Sequence, residues 1–444
     1  MAVFRAYLFV REAPSACDTA RRIPMILPMT PLAEGTFTST LPLTRSEPLV
    51  GPRAVSAGAN VRVLHIINGE HYSGAERVQD LLAACLPQEG FDVGFACLKP
   101  HLFPRLRRWQ SSPVYLVPMR SRFDLRVVGQ LRRLVLRGGY RILHAHTPRS
   151  VMPGRLAAWW SGVSFVYHVH SPALRDTAQA RRNWINGLAE RWSLRGDCRL
   201  IAVSSSLGEE MVRQGVRPGR IAVVPNGVPA PSARRSVEPP GPTWTLGVIG
   251  LFRPRKGLEV LLDALSLLRA DNLSWRLRAV GAFEASDYEA QIRARAKQLD
   301  LEGTIQWAGF RSDVAAELAG MDLLVLPSLF GEGMPMVVLE AMAAGVPVVA
   351  TRVEGIPEAI EDGVQGLLAR SGDAGDLARC LASILRGEPP WLRLRHNALA
   401  RHAERFSDRR MAAGVARVYR EVLAGDEVSR GGQSPVSGCL RSRA

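Results

Sequence analysis

The feature that most constrains this chain is a rhythm: short apolar runs alternate with helical stretches, stop at a Pro/Ser-rich segment, and start again. The first series of runs is Val61–Ile67, Asp92–Leu98, Val114–Val117, Ile142–His144, Phe165–Val169, Leu200–Val203 and Ile221–Val224. Helical patterns lie between several of them, at Ala75–Leu86, Leu125–Arg137, Met152–Trp160, Asn183–Leu194 and Leu207–Gln214. The second series is Thr245–Ile249, Leu277–Val280, Thr304–Ala308, Leu323–Leu326, Val346–Ala350 and Gly366–Leu368, with helices at Gly257–Ala270, Ser286–Leu299 and Pro335–Ala344. Such alternation predicts parallel sheets covered by helices on both faces. The fold expected is therefore α/β, with two Rossmann-like, doubly wound domains facing each other across a cleft, where open α/β sheets bind ligands.

The same reading divides the chain. Residues 1–58 are rich in Pro, Thr, Ser and Ala and are expected to lack order, with a membrane-surface segment at Met1–Val10 as the alternative. Residues 59–228 make the first domain, 229–243 a linker and 244–405 the second domain. A helix over 406–425 is expected to cross back to the first domain, and 426–444 to form a disordered tail.

Net charge is +16, which calls for an anionic partner. Residues 61–230 hold 24 Lys and Arg against 11 Asp and Glu, with Arg120, Arg122, Arg126, Arg132, Arg133 and Arg137 clustered together. No basic-aromatic nucleic-acid motif accompanies them, so nucleic acid is not an expected partner. The six cysteines contain no CxxC pair, which excludes a zinc knuckle and fits a reducing cytoplasm. The apolar run at the N-terminus is broken by Arg5 and Arg11, so no secretory leader is expected there. No run approaches the roughly 20 apolar residues that span a bilayer.

The chemistry concentrates in Met321–Glu358. A buried strand ends at Pro327, the loop Gly331-Glu332-Gly333 follows, and Pro335 opens a helix that stops at Gly345. The positive end of that helix faces the expected cleft and suits an anion. Glu340 lies about 7.5 Å further along the axis than Pro335. Two carboxylates so placed could each grip a hydroxyl-bearing ring with a diphosphate between them, the layout of a nucleotide sugar. The bland alternative for Glu332 alone is an exposed charge complementing the helix dipole. A second loop, Gly250-Leu-Phe-Arg253-Pro-Arg255-Lys256-Gly257, offers cations to a diphosphate, or is a solvated basic turn. Two His-x-His pairs, His144/His146 and His168/His170, each share a strand face, but no carboxylate or Cys completes a ligand set and no metal is expected.

Together these motifs resemble glycosyltransferase family 4, whose E-x7-E signature matches Glu332 and Glu340 in the form EGMP, over a span from Val61 to about Leu423. The resemblance implies the GT-B fold and a retaining, metal-independent transferase that uses a nucleotide-diphosphate sugar as co-substrate. It implies that Glu332 holds the sugar hydroxyls with the N–H groups of Gly333 and Met334, beside Pro335. Glu340 would hold the ribose, and Arg253 and Lys256 the leaving diphosphate. The loop Asn68–Arg77 resembles the family's GGAE loop with Ser73 for the first glycine, leaving Gly74 to approach phosphate. His170 would stand near the reacting centre, with Ser171 where the family commonly has Asp. Phe310 and Arg311 would meet the base, and Pro225–Val228 resembles the family's PNGV turn. The first domain would take a glycan or lipid-linked acceptor at an anionic membrane surface, placing the protein in the cytoplasm, peripheral on the inner face of the membrane. The competing readings are a sugar-nucleotide epimerase or phosphorylase on the same fold, and a non-catalytic sugar-nucleotide binder.

Overall fold

A computed structural model describes residues 60–121, 124–171, 198–269 and 273–431. The expected extension 1–58, the helix Asn183–Leu194, Arg122 and residues 432–444 of the expected tail lie outside the described residues, while the first residues of that tail, 426–431, continue the last helix instead of lacking order.

Two parallel sheets form. The first has strands β1 (Val61–Ile67), β2 (Phe91–Cys97), β3 (Val114–Leu116), β4 (Ile142–Ala145), β5 (Ser164–Val169), β6 (Arg199–Ala202) and β7 (Ile221–Val223), in the order β3-β2-β1-β4-β5-β6-β7. The second has β8 (Trp244–Ile249), β9 (Trp275–Val280), β10 (Ile305–Gly309), β11 (Leu323–Leu326), β12 (Val348–Thr351) and β13 (Gly366–Ala369), in the order β10-β9-β8-β11-β12-β13. Both orders reverse direction once, between β1 and β4 and between β8 and β11, as in a doubly wound fold. The loops that follow β8 and β11 therefore flank one crevice; they are the two loops singled out above.

Among the described residues, the helices of the first lobe are α1 (Gly74–Cys85), α2 (Phe103–Leu106), α3 (Arg126–Gly138), α4 (Pro148–Ser161) and α5 (Ser205–Arg213). Those of the second are α6 (Leu258–Arg269), α7 (Ser286–Gln298), α8 (Val314–Ala319), α9 (Met336–Ala344), α10 (Ile356–Ala359), α11 (Ala374–Leu385) and α12 (Trp391–Arg405). The last helix, α13 (Asp408–Gly431), packs on the first lobe: Arg199 meets Glu421 at 2.6 Å and Arg420 meets Glu89 at 3.0 Å. No helix among the described residues is long and apolar enough to cross a membrane.

Two local differences from the sequence reading have clear causes. Helix α4 begins at Pro148 rather than Met152, because Thr147 and Ser150 form a capping box and Pro148 occupies the first turn. It then carries Pro153 in its interior. Pro335 caps α9 rather than starting it, with ψ at 119°, so the helix begins at Met336.

The linker is pinned rather than loose. Arg235 donates to Asp322 at 2.6 Å, and Arg395 donates to the carbonyl of Arg235 at 2.8 Å. Asp322 also accepts from the Thr245 amide at 2.7 Å, which fixes the start of β8.

Candidate active site at the switch point

Helix α9 is apolar on nearly all sides: Met336, Val338, Leu339, Ala341, Met342, Ala343 and Ala344 are buried. Glu340 is its one charged residue. A carboxylate in such a helix is costly unless it is paired. Its partner is Arg77 of α1, whose guanidinium reaches both carboxylate oxygens, one of them at 3.1 Å. This ion pair joins the lobes. The sequence reading did not connect Arg77 with Glu340. Burial pulls down the Arg77 pKa, but the Glu340 carboxylate outweighs it and holds the guanidinium above its ordinary value.

Glu332 is 5% exposed, so it is not a solvated dipole complement. It forms an ion pair with Lys256, accepts from Ser328 Oγ at 2.7 Å, and lies 3.8 Å from Arg255. Burial alone would raise its pKa; Lys256, Arg255 and the Ser328 hydroxyl outweigh that and hold it below the usual carboxylate range. Lys256 is shifted down by burial, which the carboxylate only partly offsets. The amide of Glu332 donates to Glu354 at 3.1 Å. Glu354 sits at φ 33°, a strained region for a residue with a Cβ, and such strain gathers at functional sites.

The two loops touch through glycines. Gly257, at φ 66°, packs where a Cβ would strike the carbonyl oxygen of Pro327. Arg255 donates to the Gly331 carbonyl at 2.9 Å and accepts at its own carbonyl from Leu329 at 2.8 Å. Across the crevice, a Cβ on Gly333 would collide with the carbonyl oxygen of His170. Gly74, the first residue of α1, stands with its Cβ direction 3.6 Å from Met336, the first residue of α9. The N-terminal ends of α1 and α9 thus face each other. Asn226 of the Pro-Asn-Gly-Val turn donates to the Met334 carbonyl at 2.9 Å, and Glu358 accepts from the amides of Ser205 and Ser206 at 2.7 and 2.9 Å.

The structure thus brings together Glu332, Gly333, Met334, Pro335, Lys256, His170 and Gly74. It places the others further out. Arg253 turns to Glu284 at 3.1 Å, while Arg255, part of the same loop but not singled out, takes the position beside Glu332. Phe310 is 60% exposed at the end of the edge strand β10, and Arg311 reaches Glu317 at 3.6 Å.

The histidines form a larger group than their spacing suggested. Register sets His65 of β1 opposite His144 of β4, on the face shared by His146, His168 and His170. His65, His144 and His168 are fully buried, and His146 is 2% exposed. Burial pushes His65 down to about 3, helped by His170, and burial alone brings His170 down to about 4. His144, His146 and His168 are also held well below 6.5, chiefly by burial and then by one another. All five are neutral at pH 7.

Two sequence profiles match. One, described as Glycosyltransferase Family 4, covers residues 72–230; the other, described as Glycosyl transferases group 1, covers 243–387. The colanic acid biosynthesis glycosyltransferase WcaL of Salmonella typhimurium is 34% identical over 200 residues, 43% of this chain and 48% of the relative, so the chain spans about half of that protein. A D-inositol 3-phosphate glycosyltransferase of Streptomyces bingchenggensis is 30% identical over 311 residues, 65% of this chain and 68% of the relative. Among solved structures, Anabaena HepE in complex with UDP and glucose superposes with a TM-score of 0.72 at 22% identity, covering 82% of this chain and all of that one. That likeness concerns the fold.

Proposed function

Since the chain belongs to glycosyltransferase family 4, we propose that it transfers a sugar from a nucleotide-diphosphate donor to a glycan or lipid-linked acceptor, with retention and without a bound metal, in surface-polysaccharide or glycolipid assembly. One observation carries the reading: the buried Lys256–Glu332 pair at the second sheet's switch point, with a glycine-lined approach to the opposite lobe. Glu332 stays ionised there and accepts hydrogen bonds from sugar hydroxyls, and the amides of Gly333 and Met334 steady the same ring. Lys256, Arg255 and the amino end of α9 face the leaving diphosphate, with Arg253 swinging in from Glu284. Glu340 takes the ribose hydroxyls once Arg77 yields one of its two contacts, and Phe310 and Arg311 meet the base.

The bond from the anomeric carbon to the diphosphate oxygen breaks with its electron pair on the phosphate. The acceptor oxygen bonds that carbon on the same face, and its proton passes to the phosphate oxygen that left. Protein cations carry the charge that a metal carries elsewhere.

A panel of sugar nucleotides read by thermal shift, followed by nucleotide-diphosphate release with and without acceptor, tests this reading. One or more donors should raise Tm, by about 2.7 kcal/mol of stabilisation at a hundredfold excess over Kd. Release should depend on acceptor. No stabilising sugar nucleotide in the panel would refute the assignment.

The first lobe also carries the features of a membrane-surface protein. Trp159 is 81% and Trp160 56% exposed at the end of α4, and Arg132 of α3 lies 4.9 Å over the Trp160 ring. Arg126, Arg133 and Arg137 are exposed on α3. Interfacial tryptophans beside arginines suit anionic headgroups. Binding to phosphatidylglycerol-containing vesicles should weaken with salt, and Arg133→Glu with Arg137→Glu should cost about 1 kcal/mol per charge removed. Salt-insensitive binding, or none, would count against membrane docking.

A further inference from the structure

Among the described residues two non-glycine residues hold a positive φ, Asp300 at 53° and Glu354 at 33°. Asp300 lies in the exposed turn after α7, and aspartate enters the left-handed region more readily than most residues. Glutamate has no such ease. The neighbour of Glu354 sharpens the contrast. Gly355 sits at φ −81°, which any residue adopts, and is a glycine for want of space: a Cβ there would strike the carbonyl oxygen of Gly333. The turn after β12 thus has a glycine where packing demands one, and a glutamate where the backbone would favour one.

What the glutamate supplies is a carboxylate. Glu332 stands between two glycines, Gly331 at φ 83° and Gly333, so its peptide groups belong to the most freely turning backbone of the site. Three contacts from the β12 turn hold this loop. The Thr351 hydroxyl donates to the Ser328 carbonyl, the Glu354 Oε2 accepts from the Glu332 amide at 3.1 Å, and the Gly355 amide donates to the Glu332 carbonyl at 3.0 Å. Glu332 is therefore held at the peptide groups on both sides, while Ser328 and Lys256 hold its carboxylate. Of the two peptide contacts, the one at the carbonyl is made by backbone and the one at the amide needs a side-chain acceptor. A residue at an ordinary negative φ would send its Cβ in another direction, so the strained backbone and the amide contact go together.

We propose that Glu354 is a positioning residue for sugar recognition: its strained backbone aims a carboxylate at the Glu332 amide, and this clamp fixes the Glu332 side chain and the following amides of Gly333 and Met334 in the orientation that receives the donor's sugar. The sugar rests on the function proposed above; the clamp does not. Without it the glycine-flanked peptide turns, and the loop has to be ordered each time the transition state forms. The loss then falls on kcat more than on donor affinity, because Lys256 and Arg255 still meet the diphosphate.

Two substitutions at one position test this. Glu354→Gly adopts φ 33° without strain and removes the carboxylate; Glu354→Gln keeps the length of the side chain and an oxygen acceptor. Hydrogen exchange at the Glu332 amide should quicken about threefold to tenfold in the glycine variant, the worth of one hydrogen bond, and return toward the parent rate in the glutamine variant. The kcat of Glu354→Gly should fall by about the same threefold to tenfold, with donor KM little changed, and Glu354→Gln should recover most of that loss. Relief of strain offsets the lost hydrogen bond, so Glu354→Gly should melt within a few degrees of the parent. A glycine variant that melts far lower or does not fold overturns the proposal, since position 354 would then not be strained. Unchanged exchange at the Glu332 amide overturns the clamp, and quickened exchange with unchanged kcat overturns its part in the reaction. A parent protein that transfers sugar from no donor refutes the proposed function, and exchange at the Glu332 amide still decides the clamp.

Discussion

Glu332→Gln is expected to lower glycosyl transfer at least a hundredfold, about what removing one electrostatic contact to a transition state costs. Gln keeps the shape but loses the negative charge that organises the loop. In the native protein that charge persists because Lys256, Arg255 and Ser328 together overcome the effect of burial. Lys256→Ala should be as severe, since it removes the nearest cation from the leaving diphosphate. Nucleotide-diphosphate release at saturating donor measures both, and near-normal turnover in either folded variant would remove the site from this crevice.

Neither variant will be structurally silent. The side chains of Lys256 and Glu332 are 17% and 6% exposed. Removing one partner of a buried pair leaves an uncompensated charge, at a cost of about 3–5 kcal/mol. Each single variant should therefore melt well below the parent. Glu332→Gln combined with Lys256→Met should recover part of that loss and remain inactive. Stability and activity then move in opposite directions across the cycle, which a merely structural ion pair would not produce. Purely additive loss of stability would show instead that the two charges are not coupled.

Much of this arrangement was legible in the sequence because periodicity and turn chemistry are local. Strand β11, the Gly331–Gly333 loop and the stop at Gly345 could be read in order, and two rhythms separated by a proline-rich segment gave two doubly wound sheets. Pairings between distant segments could not be read. Arg77 lies 263 residues from Glu340, and nothing local distinguishes it from the chain's many other arginines. Arg253 and Arg255 differ by two positions, and only the fold turns one to Glu284 and the other to Glu332. His65 was a lone histidine in an apolar run. Its contacts follow from the register that sets it opposite His144, and from a tyrosine 354 residues away on a helix that returns to the first lobe. A strand-register hypothesis would have been enough to group the histidines, since period two already put each pair on one face of its own strand.

That grouping gives the second large effect, a steep loss of stability in mild acid. Each of the five histidines has a folded pKa below its unfolded value of about 6.5, so below that pH the unfolded chain binds more protons than the folded one. Stability is therefore intact above pH 7 and falls as pH drops through 6.5. The loss continues until the folded state itself takes protons, at about 3 for His65 and about 4 for His170. A fully expressed difference is worth about 1.4 kcal/mol per pH unit for each group. Between pH 6.5 and 5.5 each histidine contributes about 1 kcal/mol, or about 5 kcal/mol for the cluster. That is comparable to the whole stability of many domains, about 5–15 kcal/mol. The carboxylates held low, Glu332 and Glu317 among them, stay ionised through this window and do not share in the loss. Tm should therefore fall steeply from pH 7 to 5.5. His168→Phe, which removes a ring with neither nitrogen partnered among the described residues, should flatten the fall by about one histidine's share. Its advantage over the parent should grow as pH drops. A Tm that stays level over that range would mean that the histidines are not held neutral by burial.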